Sequence, residues 1–161
     1  MLIALYDGDR GAEVILTRRT KDVSTHKGEV SFPGGRMEPG ETPVQTALRE
    51  AHEEIGLDPT APEVVGELDH LSTVASRSHI VPVVARLAGR PTLVPASAEV
   101  ARVLHVPLVE LLEPGTYREE RWGAPPLDRS VYFFDLDDET VWGATARMLA
   151  QLLGVALGVE A

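Results

Sequence analysis

Apolar positions fall first into short runs and later into helical stripes. Leu2–Tyr6 is an apolar run, and Asp7-Gly8-Asp9-Arg10-Gly11 after it has turn composition. Glu13–Thr17 is apolar and β-branched, so the two runs predict a hairpin. Arg18–Lys27 is polar and reads as a loop, and Gly28–Phe32 as another strand stopped by Pro33-Gly34-Gly35. Glu63–Leu71 and Ile80–Leu87 read as strands, with Pro82 predicting an edge position or a bulge. Pro91–Pro95 reads as extended, and Val106–Leu112 as a short helix entered at Pro107. Gly115–Trp122 and Ser130–Leu136 read as strands joined through Pro125-Pro126. Gly143–Val155 predicts a helix with Ala146, Leu149, Leu152 and Leu153 on one stripe, and Trp142 before it reads as core. The pattern predicts one mixed α/β domain over residues 1–161, strands first, with two main helices.

The helix over 42–55 has the clearest signals. Thr42 suits the N-cap, Pro43 the first helical position and Gln45 a capping box, while Gly56 is a natural stop. Val44, Ala47, Leu48, Ala51 and Ile55 form an apolar stripe that must face a core. The period then predicts Glu50, Glu53 and Glu54 together on the opposite side. Like charges at i,i+4 cost a few tenths of a kcal/mol each, about 0.2–0.5. Arg49 offsets part of this as the i,i+4 partner of Glu53. One reading of the face is a solvated surface. The other is a hard divalent cation, Mg2+ or Mn2+, which takes carboxylate oxygens and keeps water positions open.

The charge balance sharpens this choice. The chain of 161 residues has a net charge of −10, and residues 41–70 hold eight acidic groups against one basic group. Such a balance argues against nucleic acid and anionic membrane surfaces as partners. Zero cysteines exclude disulfides, thiolate metal sites and thiol nucleophiles, and agree with a cytoplasmic location. No run reaches the roughly 20 apolar residues of a membrane span. The first residues lack a basic, apolar signal-peptide pattern.

Residues 35–57 read Gly35, five residues, Glu41, seven residues, then Arg49-Glu50-Ala51-His52-Glu53-Glu54-Ile55-Gly56-Leu57. This resembles the Nudix box of the Nudix hydrolase superfamily, G-x5-E-x7-R-E-U-x-E-E-x-G-U with U aliphatic. Every fixed polar and glycine position is present; Ala51 is a small choice for U. The resemblance implies an α/β/α sandwich around a mixed α+β sheet, carrying a Nudix loop–helix–loop. It also implies metal-dependent hydrolysis of a nucleoside diphosphate linked to a further group. By resemblance, Glu50, Glu54 and Glu53 are the expected metal ligands, with the Gly35 carbonyl. Glu53, Glu54, Arg49 and the loop residue Glu99 are the expected catalytic set. Glu41 is expected to hold the loop or a second ion. The expected partner is a small nucleotide substrate. A homodimer is also in keeping with the resemblance.

Ahead of the box stand Ile15-Leu16-Thr17-Arg18-Arg19-Thr20, Gly28 and Phe32-Pro33-Gly34-Gly35. This is similar to the signature of the coenzyme A diphosphatase branch, L-L-T-x-R-[SA]-x3-[RK]-x3-G-x3-F-P-G-G. Two positions depart: Thr20 replaces Ser or Ala, and Ser24 replaces a basic residue. Lys21, His26 or Lys27 could supply the missing charge. Looser likeness runs through Ala98–Leu108 and Val131–Arg147. The implied products are 3′,5′-ADP and 4′-phosphopantetheine, and the implied substrate contacts are Arg19, Lys27, Phe32 and Gly34. Other Nudix substrates (ADP-ribose, nucleotide sugars, dinucleoside polyphosphates) are the alternative. A binding module without turnover is the alternative of another class.

Overall fold

A computed structural model describes residues 1–21, 28–73, 78–126 and 128–159. The first hairpin forms as its pattern predicts, from β1 (Leu2–Gly8) and β2 (Gly11–Arg19). A two-residue strand, β3 (Val30–Ser31), precedes helix α1 (Pro43–Ile55). Then follow β4 (Glu63–Glu67), β5 (Leu71–Ser72), β6 (His79–Ile80), β7 (Val83–Arg86) and β8 (Val100–Pro107). A 3-10 turn at Glu110–Leu112 leads to β9 (Tyr117–Trp122), β10 (Arg129–Asp135), β11 (Thr140–Trp142) and helix α2 (Gly143–Leu157).

Six strands make the main sheet. β1 pairs antiparallel with β2 and parallel with β7, and β4 lies outside β7. β8 runs along residues 13–19 of β2, so β1 and β3 must share the other edge of β2. Past β3, the chain is tied to the start of β1, where the Leu2 amide donates to the Pro33 carbonyl at 2.8 Å. That bond carries Pro33-Gly34-Gly35 across the end of the sheet and under α1.

Side chains alternate between two cores because strand residues alternate faces. Leu2, Ala4, Tyr6, Ile15, Val83 and Ala85 pack against Ala47, Ala51 and Ile55 of α1. Ile3, Val14 and Leu16 pack on the other face against Phe134, Val141, Met148 and Leu149, from the β9–β11 sheet and α2. The expected α/β/α layering and mixed sheet are what the chain forms.

Several sequence expectations are corrected. Ile80–Leu87 is two strands, because Pro82 lacks an amide hydrogen and interrupts the ladder. Pro82 stands just before a central strand, a place open to proline, whereas β4 is the edge. Glu63–Leu71 likewise divides into β4 and β5. Val106–Leu112 is mostly not helix: Val106 and Pro107 finish β8, a strand the apolar pattern did not announce. Trp142 is 39% exposed and lies against Phe133 and Trp122, so it is outside the two main cores.

Candidate active site

The helix caps form as the composition dictates. The Gln45 amide donates to Thr42 Oγ1, and the Thr42 amide donates to Gln45 Oε1 at 2.8 Å. Gly56 closes the helix at φ 69°, a left-handed conformation that suits glycine. These caps fix where each carboxylate of α1 leaves the helix.

The three carboxylates do not share one exposed face, which corrects the sequence expectation. Glu53 alone lies opposite the apolar stripe, with its side chain 55% exposed. Glu50 is only 17% exposed and Glu54 is partly buried. At 100° per residue these two flank the stripe, so they meet the loop that passes under the helix. The Gly34 amide donates to Glu54 Oε2 at 3.0 Å. A Cβ on Gly34 would sit 2.7 Å from Met1 Cα, so only glycine fits between β1 and the helix. A Cβ on Gly35 would sit 2.4 Å from the Glu50 carboxylate. Burial pushes the Glu54 carboxyl up to about 7, partly opposed by the Gly34 amide.

Arg49 is the organising cation. Its Nε and Nη2 give Glu41 a two-pronged pair at 2.7 and 3.1 Å, and Nη1 reaches Glu50 at 2.8 Å and Glu53 at 3.3 Å. The principal partner of Arg49 is therefore Glu41, from the loop, rather than the i,i+4 Glu53. This pairing holds the Glu41 carboxyl down at about 2. The Thr46 hydroxyl also donates to Glu41 at 2.7 Å. Thr46 is a support that sequence spacing did not single out, because its partner lies outside the helix.

Glu99 reaches the same region through the loop before β8. The Ala96 amide donates to the Glu54 carbonyl at 2.9 Å, and the Thr20 amide to the Glu99 carbonyl at 2.8 Å. Arg19 Nη2 then donates to Glu99 Oε2 at 2.9 Å, and both charges act on Glu54. The structure thus brings Glu50, Glu53, Glu54, Arg49, Gly34, Gly35, Arg19 and Glu99 to one end of the main sheet. Lys27, with Ser24 and His26, lies outside the described residues. Phe32, expected to contact substrate, is corrected: it is 1% exposed in the core with Val30 and Phe134, because its ring points away from α1.

Donor chemistry decides whether a hard divalent cation fits. Glu50 is an oxygen donor in the space left by the missing Cβ of Gly35, and Glu54 is one held by the Gly34 amide and kept short of full ionisation by burial. A cation favouring carboxylate and carbonyl oxygen suits that set. Among the described residues, no three acidic or histidine side chains already converge on one point, since Arg49 holds Glu50 and Glu53.

The profile of the NUDIX domain matches residues 1–128. This chain belongs to the Nudix hydrolase family. It is 42% identical to "Nudix hydrolase 22, chloroplastic" of Arabidopsis thaliana, over 92% of this chain and 52% of that protein. It is 37% identical to "Nudix hydrolase 15, mitochondrial" of the same plant, over 96% of this chain and 57% of that protein. The chain therefore spans little more than half the length of these two relatives. The solved Nudix hydrolase RenU from M. smegmatis is similar over 99% of this chain and 85% of that one. Its TM-score is 0.68 at 21% identity, which speaks to the fold. No helix among the described residues is long and apolar enough to cross a membrane.

Proposed function

We propose that this Nudix domain hydrolyses the diphosphate linkage of a nucleoside diphosphate derivative with Mg2+ or Mn2+, and that coenzyme A or its thioester is the substrate. The observation that carries the reading is the meeting of two sets of groups. Glu50 lies against Gly35 and Glu54 accepts from the Gly34 amide under α1, and the Arg19–Glu99 pair acts on Glu54 from beside them. Glu50 and Glu54 would hold the cation with the Gly35 carbonyl, and Glu53 completes the acidic set. When bound there, such a cation would supply charge neutralisation at the phosphates and a lowered pKa for water.

The chain's own residues do the rest. Arg49 keeps Glu41 and Glu50 in place through charge-assisted bonds, so the loop and the helix move as one unit. Gly34 spends its amide on Glu54 and fixes one carboxylate oxygen. Arg19 supplies a guanidinium to the phosphates. Glu99 accepts the proton of the attacking water on a carboxylate oxygen. An oxygen–phosphorus bond forms to that water as the phosphorus–oxygen bond of the anhydride breaks, and the leaving phosphate departs as an anion. The coenzyme A assignment rests on Thr17, Arg19, Gly28 and Phe32–Gly35 standing in register with that branch's signature. The cytoplasm remains part of this reading, supported by the cysteine-free composition.

The test is a substrate panel with Mg2+ or Mn2+ and chelator controls. The reading expects 3′,5′-ADP and 4′-phosphopantetheine from coenzyme A, lost in Glu54→Gln. Faster turnover of ADP-ribose, a nucleotide sugar or a dinucleoside polyphosphate would remove the coenzyme A assignment. Silence on every diphosphate would make the domain a binding module.

A further inference from the structure

Two arginines in this site use the same edge of the guanidinium differently. The Nε–H and Nη2–H of an arginine point the same way and match a pair of oxygens. Arg49 spends both on Glu41, at 2.7 and 3.1 Å. Arg19 spends only Nη2, on Glu99 at 2.9 Å, while its Nε is buried with no hydrogen-bond partner among the described residues. A buried donor without an acceptor is costly and rare in a folded protein. The Arg19 fork is therefore half used.

Burial and tethering say which partner can leave. The Arg19 side chain is 23% exposed and the Glu99 side chain 58%. The backbone of Glu99 is anchored by the Thr20 amide and by its own amide's bond to Ser97 Oγ at 3.1 Å. The Glu99 carboxylate can swing into solvent while Arg19 and the Glu99 backbone stay where they are. A phosphoryl group presents two equivalent oxygens and can fill both prongs.

We propose that the Nε/Nη2 edge of Arg19 is a phosphoryl-oxygen site, half occupied by Glu99 in the free protein and surrendered by it when a diphosphate binds. The exchange leaves Arg19 satisfied on both donors and frees the Glu99 carboxylate beside the bound phosphate. Substrate binding itself thereby releases Glu99 for proton transfer. Before binding, Arg19 lowers the negative charge that an incoming anion meets. The inference rests on the diphosphatase reading only for the chemical class of the ligand.

Pyrophosphate in chelator-containing buffer is the probe, with binding measured by calorimetry and the Arg19 Nε–H followed by 15N NMR. Glu99→Ala removes the internal competitor and is expected to bind pyrophosphate about fivefold more tightly than wild type. Arg19→Ala is expected to bind about tenfold more weakly. In the double variant the gain from Glu99→Ala is expected to vanish. Arg19→Lys keeps the charge without the fork and is expected to bind about threefold more weakly. The Nε–H resonance should move as wild type saturates. A gain from Glu99→Ala that persists without Arg19 would mean a long-range field and would overturn the proposal. So would an unmoved Nε–H resonance, or an Arg19→Lys variant that binds as wild type does. Because no turnover is involved, exchange seen in a protein that cleaves no diphosphate would leave this site standing and remove the enzyme reading. Cleavage without exchange would do the reverse.

Discussion

Gly35→Ala separates the work of the site from the stability of the fold. The added Cβ would lie 2.4 Å from the Glu50 Cδ and Oε1 and 2.5 Å from Oε2. An ordinary contact needs about 3.4 Å, so the carboxylate must retreat by about 1 Å. Gly35 does not need a left-handed conformation, and the obstructing atoms are the far end of a side chain. The fold can therefore absorb the change by moving Glu50 and weakening its 2.8 Å bond to Arg49, at about 1 kcal/mol. Function has no such latitude, since a misplacement of about 1 Å costs about a hundredfold in rate. Urea melts should show a loss of about 1 kcal/mol, while Mn2+ binding by calorimetry and turnover at fixed Mg2+ should fall by about two orders of magnitude. A variant that binds Mn2+ and turns over as wild type does would show that the Gly35–Glu50 approach has no part in the site.

Three further outcomes follow from named contacts. Glu54 has a folded value of about 7 against an ordinary 4.5, so its contribution is fully present below 4.5 and declines as pH rises to about 7. Glu54→Gln should flatten that decline in chelator-containing urea melts at pH 5 and pH 8, and wild-type Mn2+ affinity should climb with pH up to about 7. Thr42→Ala removes the capping box and should cost about 1 kcal/mol in urea melts, with Gly56 still closing the helix. Tyr6→Phe removes the hydroxyl that bonds Glu13, which is 4% exposed; the carboxylate keeps the Arg90 guanidinium at 3.9 Å but loses its hydrogen bond, which should cost about 1–3 kcal/mol in the same assay.

Local chemistry was legible in the sequence; meetings between distant segments were not. Thr42, Gln45 and Gly56 announced the bounds of α1 because capping depends on neighbours within one turn. The stripe of Ala47, Ala51 and Ile55 named the buried face for the same reason. The coarse grouping of Glu50, Glu53 and Glu54 missed that two of them flank this stripe, where a returning loop encloses them. Arg49 looked like a partner for Glu53 because i,i+4 spacing is visible in one dimension. Its pairing with Glu41 exists only after the loop folds back. The strand β8 was hidden because Pro107 resembles a helix start, while its pairing with β2 is a long-range event. Glu99 stood out by likeness alone, and what brings it to Arg19 is that same pairing.

Diffraction from crystals soaked in Mn2+, collected at the manganese edge, tests the central claim most directly. The account predicts an anomalous peak bounded by the Glu50 and Glu54 carboxylates and the Gly35 carbonyl. An ordered crystal with no peak there, or with manganese held only by other residues, would contradict it.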